Sequence, residues 1–256
     1  MPRTLILTAT ITPPSGVPSL VRTDPALRLR DYLAAFEFYL KVPTDVLPRI
    51  VFAENSASDV APFRELADRV GAGKEVFVTS HAGLDHPAAY GRGYGEMKLI
   101  DRIMTEYPPV AELPDDAPIW KGTGRYVLAN IARLVRSAPR QYDLYCDLKD
   151  RPQPWFDMRF FSFTPAGYRR FFLGKYHDLR EDAPPRPGQP WTNPEAVLRA
   201  AIAPHLGEPG VYPRFKVEPY VDGVRGWDNR SYVSGKNLAK FYVRSAARVV
   251  APRLWI

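Results

Sequence analysis

Between Ile119 and Val135 the chain reads IWKGTGRYVLANIARLV, where Lys121, Gly122, Thr123, Gly124 and Arg125 crowd a pivot between strand-like and helix-like residues. Those types suit an anion. Glycine lets the backbone approach a ligand closely, the first amides of a helix carry partial positive charge, and Lys121 and Arg125 add two full charges. Thr123 can donate a hydroxyl hydrogen bond. The lysine precedes the glycines, so the phosphate loop Gly-x-x-x-x-Gly-Lys-Ser/Thr is absent. A tight strand-to-helix turn with solvated cations would use the same residues, and the motif alone does not choose.

Other candidates gather around similar junctions. GRGYGE, from Gly91 to Glu96, opens a helix and matches part of a dinucleotide fingerprint, although it follows the wrong strand and a long loop. It suits a loop facing phosphate or sugar, or a plain glycine-rich connection. Glu54-Asn55-Ser56 ends a strand, where a carboxylate or amide can hold a base or ribose; Ser56 or Ser58 could equally cap the next helix. Asp157 and Arg159 share one strand face by the two-residue period. Glu218, among apolar and turn residues, could act as a general base if burial raises its pKa. His81, Asp85 and His86 share a loop without helical or strand spacing to aim them, so no metal site is expected there. No Asp-x-Asp pair and no Gly-x-Ser-x-Gly elbow occurs.

The elements that must position these residues follow from periodicity. TLILTATI reads as a buried strand, and Asp24-Pro25 starts a helix with Leu29, Leu33, Phe36 and Leu40 on one stripe. RIVFAEN and KEVFVTS read as strands flanking a helix at 58–70. A helix is expected from Glu96 to Met104, a strand at 117–124 and a helix at 125–135. Strands at 141–150 and 155–164, a helix at 165–179, a proline-rich loop at 179–194, a helix after Asn193-Pro194 and a last helix at 236–250 complete the chain. The alternation implies an α/β fold with a mostly parallel sheet covered on both faces, and ligands belong at the carboxyl ends of its strands.

Bulk properties narrow the class. The 256 residues are 45% hydrophobic and carry a net charge of +7, which favours anionic partners. The single Cys146 excludes an internal disulfide framework. No apolar run reaches the roughly eighteen residues of a membrane span, so a cytoplasmic protein is expected. After Asp228 there is no acidic residue, and Lys236, Lys240, Arg244 and Arg248 form a basic stripe at four-residue spacing, with Arg230 and Arg253 beside it. Leu238, Tyr242 and Val249 form an apolar face. Such a helix can lie on an anionic membrane surface through 236–255 or dock on the core.

In this order, VFAENSASDVAPFRELA, GRGYGEMKLIDRIM, IWKGTGRYVLANI, FDMRFFSFTPAGYRRFF and VEPYVDGVRGWDNRSY resemble a group of bacterial glycosyltransferases with a GT-A-like, Rossmann-like core. The most specific element is Lys-x-Thr-Gly-Arg-Tyr, matched by Lys121, Thr123, Gly124, Arg125 and Tyr126. The resemblance implies sugar transfer from a nucleotide-activated donor to a glycan or lipid-linked acceptor in surface polysaccharide synthesis. It implies one domain over 1–256, with a nucleotide-binding half at 1–135, an acceptor and catalytic half at 136–233 and a basic helix at 234–256. The expected donor-binding set is Thr8, Thr10, Glu54, Asn55, Gly93, Gly95, Glu96, Gly122, Thr123, Gly124, Tyr126 and Arg159. Lys121 and Arg125 would neutralise the leaving nucleotide in place of a metal ion, so no cofactor is expected, and Glu218 or Asp157 would deprotonate the acceptor. A basic nucleic-acid-binding protein and a nucleotidyltransferase acting on a phosphosugar are the alternatives. Against nucleic acid, the cations are dispersed along the chain.

Overall fold

Side-chain parity in three adjacent strands builds the molecule. A computed structural model describes residues 2–151, 153–184, 192–251 and 254–256. The middle of the expected proline-rich loop, 185–191, and Arg253 lie outside them. In β1 (Thr4–Ala9) and β2 (Arg49–Glu54), Leu5, Leu7, Ile50 and Phe52 enter one core, while Ile6, Val51 and Ala53 enter the other. The alternation follows because successive side chains point to opposite faces, and burial on both faces makes the strands read as continuous apolar runs.

The first core lies under α1 (Pro25–Leu40), α2 (Ala61–Val70) and α5 (Ile131–Arg136). Asp24 starts α1 by accepting from the amides of Ala26 at 2.8 Å and Leu27 at 3.3 Å, with Pro25 in the first turn. The second core lies under α3 (Arg92–Glu106), α4 (Pro108–Ala111), α6 (Pro165–Phe171) and α7 (Pro194–Ile202). Between them runs a seven-stranded sheet that also contains β3 (Glu75–Ser80), β4 (Ile119–Thr123), β6 (Leu144–Tyr145), β9 (Phe160–Phe163) and β10 (Val211–Tyr212). Its order is β10-β6-β9-β4-β1-β2-β3, and only β9 runs antiparallel to its neighbours. Thus the α/β expectation of a mostly parallel sheet with helices on both faces holds.

Several element boundaries differ from expectation. Residues 125–130 are not helical: β5 (Val127–Leu128) pairs antiparallel with β11 (Val221–Asp222), and α5 starts only at Ile131. The buried Tyr39 hydroxyl reinforces that path, donating to the Tyr126 carbonyl at 2.7 Å and accepting from the Leu128 amide at 3.1 Å. Helix α3 begins four residues before Glu96. The strand expected at 155–164 breaks at Asp157 into β8 (Trp155–Phe156) and β9, and β8 pairs with β7 (Leu148–Lys149). Helix α6 stops at Phe171, and the rest of the helix expected to 179 is a 3-10 turn, Lys175–Asp178.

The last helix, α8 (Gly235–Val250), sits opposite to the docking expectation. Its apolar residues Leu238, Tyr242 and Val249 are exposed, whereas Arg248 and Arg244, the end of the basic stripe, turn inward toward Glu218. Among the described residues no helix is long and apolar enough to cross a membrane.

Candidate functional site

A cavity of about 600 Å³ opens at the carboxyl ends of β1, β2 and β4. Thr8 and Thr10 reach it from β1, Asn55 from β2, and Thr123, Arg125 and Tyr126 from the end of β4. Gly93, Gly95 and Glu96 line it from the first turns of α3, and Asp157 and Arg159 from the break before β9. Eleven candidates scattered through the sequence therefore share one chamber.

A hydrogen-bond mesh holds that chamber together. Glu96 Oε1 accepts from Thr8 Oγ1 at 2.5 Å, from Thr123 Oγ1 at 3.0 Å, and from Lys121 Nζ at 2.7 Å. Asn55 accepts from Thr10 Oγ1 at 2.7 Å and donates to the Gly95 carbonyl at 3.2 Å. Strand ends and α3 are thus tied by side chains. Burial pushes the Glu96 carboxyl upward, but Lys121 and the two threonine hydroxyls outweigh it and hold the group below its ordinary value.

Five expected site residues have other roles. Lys121 is fully buried, and its ammonium faces Glu96, the Met158 carbonyl at 2.5 Å and Thr123 Oγ1 at 3.1 Å, which engages all three donors. It therefore cannot grip a phosphate. Gly122 and Gly124 serve packing: an added Cβ at Gly124 would lie 2.9 Å from the Thr8 carbonyl oxygen, and at Gly122 3.2 Å from Leu7. The amides there are engaged too, Thr123 N donating to Arg159 O and Gly124 N to Thr8 O, both at 2.9 Å. Without a helix start, and with the Thr123 and Gly124 amides engaged, the pivot is no phosphate cradle.

Glu54 is fully buried and accepts from the amides of Ile11, Ser56 and Ser58 and from Ser80 Oγ, leaving nothing for a nucleoside. Glu218 does not line the cavity: its carboxylate is clamped by Arg248 Nε at 2.7 Å, with Arg244 at 3.9 Å. Burial raises its pKa as anticipated, but in the wrong place. Asp157 does face the cavity. Burial acts upward on it, yet Arg159 and Lys149 hold it well below the ordinary carboxylate range, which makes it a weak base and a clamp for Arg159.

The structure adds residues that the sequence reading left aside. Arg28, Arg92, Arg225, Glu181, Glu195, His86 and Tyr232 all line the cavity. Two guanidinium groups meet at Gly226, and Arg225 lines the same cavity. A Cβ added at Gly226 would come within 2.7 Å of Arg125 Nη2 and 3.5 Å of Arg92 Nη1, while the Arg225 guanidinium lies over the Trp227 ring. Arg125 rests on the Tyr126 ring and donates to the Val224 carbonyl at 3.0 Å, while Arg225 pairs with Asp228 at 2.7 Å. Arg92 has no ion pair among the described residues. Buried Arg225 Nε and His86 Nδ1 also lack hydrogen-bond partners there, an arrangement native proteins seldom leave without a ligand or water to complete it.

Glu195 stands in the first turn of α7, which Asn193 caps through the Ala196 amide at 2.8 Å. Burial pushes its carboxyl up to about 7, reinforced by Asp157 and Glu181 and only partly offset by its own amide and Arg92. The α3 start holds a second carboxyl, Glu181, which accepts from the Arg92 amide and is likewise raised by burial. In sequence, Glu195 looks like an ordinary first-turn acid after Asn-Pro, and only the fold reveals its neighbours. A hint for Arg92 lay in GRGYGE, a cation between two glycines at a helix start. Among the described residues, no three His, Cys, Asp or Glu side chains gather as a metal-ligand group.

No protein-family model and no curated protein matches the chain, so the glycosyltransferase resemblance has no such support. Among solved structures the chain is similar to a 4-diphosphocytidyl-2C-methyl-D-erythritol synthase, with TM-score 0.41 and 9% identity over 96% of this chain and 99% of that one. A nucleoside-diphosphate-sugar pyrophosphorylase from Vibrio cholerae RC9 is also similar, with TM-score 0.41 and 13% identity over 79% and 88%. At such identity and superposition neither likeness bears on activity.

Proposed function

We propose that the chain is a glycosyltransferase that binds a nucleotide-activated sugar in this cavity and passes the sugar to a hydroxyl of a glycan or lipid-linked acceptor. The observation that carries the reading is the meeting of Arg92 and Arg125 at Gly226, on the wall of a cavity at the strand ends that Arg225 also lines. Guanidinium groups match phosphate oxygens in planar, two-pronged geometry and stay charged at any physiological pH. The volume lies within the usual range of ligand sites, about 300–1,000 Å³.

The roles follow from charge. As the bond from the anomeric carbon to the leaving phosphate oxygen breaks, negative charge grows on the diphosphate, and the arginines offset it in place of a divalent ion. Thr10, Asn55, Gly95 and Glu96 border the donor. The acceptor oxygen forms the new bond, and Glu195 removes its proton. A carboxylate with a value near 7 is matched to that task at neutral pH, which Asp157 is not.

The test is a thermal-shift panel of UDP-, GDP-, dTDP- and CMP-sugars with and without chelator, followed by detection of released nucleotide. A donor that stabilises the protein in chelator, and loses about tenfold or more in affinity in Arg92→Ala and Arg225→Ala, supports the reading. Binding restored only by manganese would overturn the cation-for-metal role. Pyrophosphate release from a nucleoside triphosphate and a sugar phosphate would identify nucleotidyl transfer instead.

A further inference from the structure

Helix α8 carries its apolar side outward. Leu238, Tyr242 and Val249 recur at spacings of four and seven, and Val243 and Val250 extend the same stripe. Tyr242 is 63% exposed, Val243 61%, and Val249 and Val250 81% each. The inward face is fastened mainly by charge: Arg248 bonds Asp147 and Glu218, Phe241 packs on the Tyr220 ring at 5.0 Å between centroids, and Ala247 is the only helix residue that is buried. A helix held largely by ion pairs, with most of its hydrocarbon turned outward, is unusual for a monomer in water, where contiguous exposed apolar patches mark interaction sites.

We propose that this face docks the protein on an anionic lipid bilayer. Charge complementarity identifies the occupant. The segment after Asp228 contains no carboxylate side chain; Lys236 and Lys240 are exposed on α8 beside the stripe, and Arg230 is exposed in the segment that leads into it. Two copies meeting through this face would bring these cations together with no acid from either segment to offset them, whereas anionic headgroups supply the opposite charge. Valine, leucine and tyrosine side chains then enter the headgroup boundary while the lysines stay at phosphate level, the arrangement of an interfacial helix lying in the membrane plane. The cavity rim residues Arg225, Trp227 and Tyr232 lead directly into α8, so docking sets the cavity close to the lipid.

Flotation of the full chain with vesicles tests this. Vesicles of phosphatidylglycerol with phosphatidylethanolamine should carry the protein upward, and pure phosphatidylcholine should not. Val249→Asp should abolish flotation. Lys236→Glu with Lys240→Glu should weaken it roughly tenfold or more, and raised salt should weaken wild-type binding. These residues are exposed, so the melting temperature should stay unchanged and loss of binding reads the surface itself. Three results would overturn the proposal: no flotation with the anionic vesicles at low salt, equal flotation with phosphatidylcholine, or a solution dimer that Val249→Asp dissociates while vesicles remain unbound.

Discussion

At the scale of single residues, Glu195 concentrates the chemistry. Its folded carboxyl is raised from the ordinary 4.5 to about 7, chiefly by burial. As a base it must be ionised, so transfer by the wild type should rise with pH through about 7. Glu195→Gln should lose that limb, with kcat lower by about 10²–10⁴ and donor affinity little changed. Stability gives an independent readout. A carboxyl raised in the folded state contributes stability that is present below about pH 4.5 and lost as pH rises through about 7. The glutamine variant escapes that loss, so its stability relative to wild type should increase by about 1–2 kcal/mol between pH 5 and pH 8, the full linkage being discounted for partial exposure. Urea titrations at both pH values measure it, and parallel curves would remove Glu195 from the base role. Lys121 teaches the converse: its type and spacing announced an anion site, but the side chain serves Glu96 inside the sheet. Residue type was legible there; its partner was not.

At the scale of elements, the outcome depended on how local the determinants are. The strands β1 to β3 and helices α1 and α2 follow from apolar periodicity, caps and prolines within their own segments, and the expected positions match closely. Residues 125–130 do not, because β5 takes its path from β11, nearly a hundred positions later, and from a tyrosine on α1. A helical period in sequence yields to a distant pairing partner. The α3–α7 contact is another such case. Gly93 reads as a loop glycine, yet it lies in α3, where an added Cβ would stand 2.1 Å from Pro194 Cγ. Gly93→Ala must therefore push α7 away, and Glu195 with it. We expect a loss of about 1–3 kcal/mol in chemical denaturation together with reduced transfer. An unchanged melting temperature and full activity would show that the two helices separate freely and that Gly93 does not fix the base.

At the scale of the whole molecule, the second half of the chain completes the sheet and the cavity, and α8 fastens the assembly. A single guanidinium, Arg248, donates to both oxygens of Asp147 at 2.8 Å, to Glu218 and to the Phe215 carbonyl at 2.5 Å. Asp147 lies just after β6 and Glu218 just before β11, so Arg248 joins the β6 side of the main sheet to the β5–β11 pair through the last helix. Replacing it leaves two buried carboxylates without their cation, a change that costs about 3–5 kcal/mol when one partner of a buried pair is removed. The loss should depend on pH. With Arg248 gone, burial acts on Glu218 with less opposition and raises it further. Protonation then relieves the desolvated charge, and stability falls as pH rises. Arg248→Ala should consequently be destabilised more at pH 8 than at pH 5, whereas Val249→Asp, one residue away on the bare face, should melt like wild type at both. Equal melting of the two variants at each pH would mean that α8 is not the fastening read from its ion pairs.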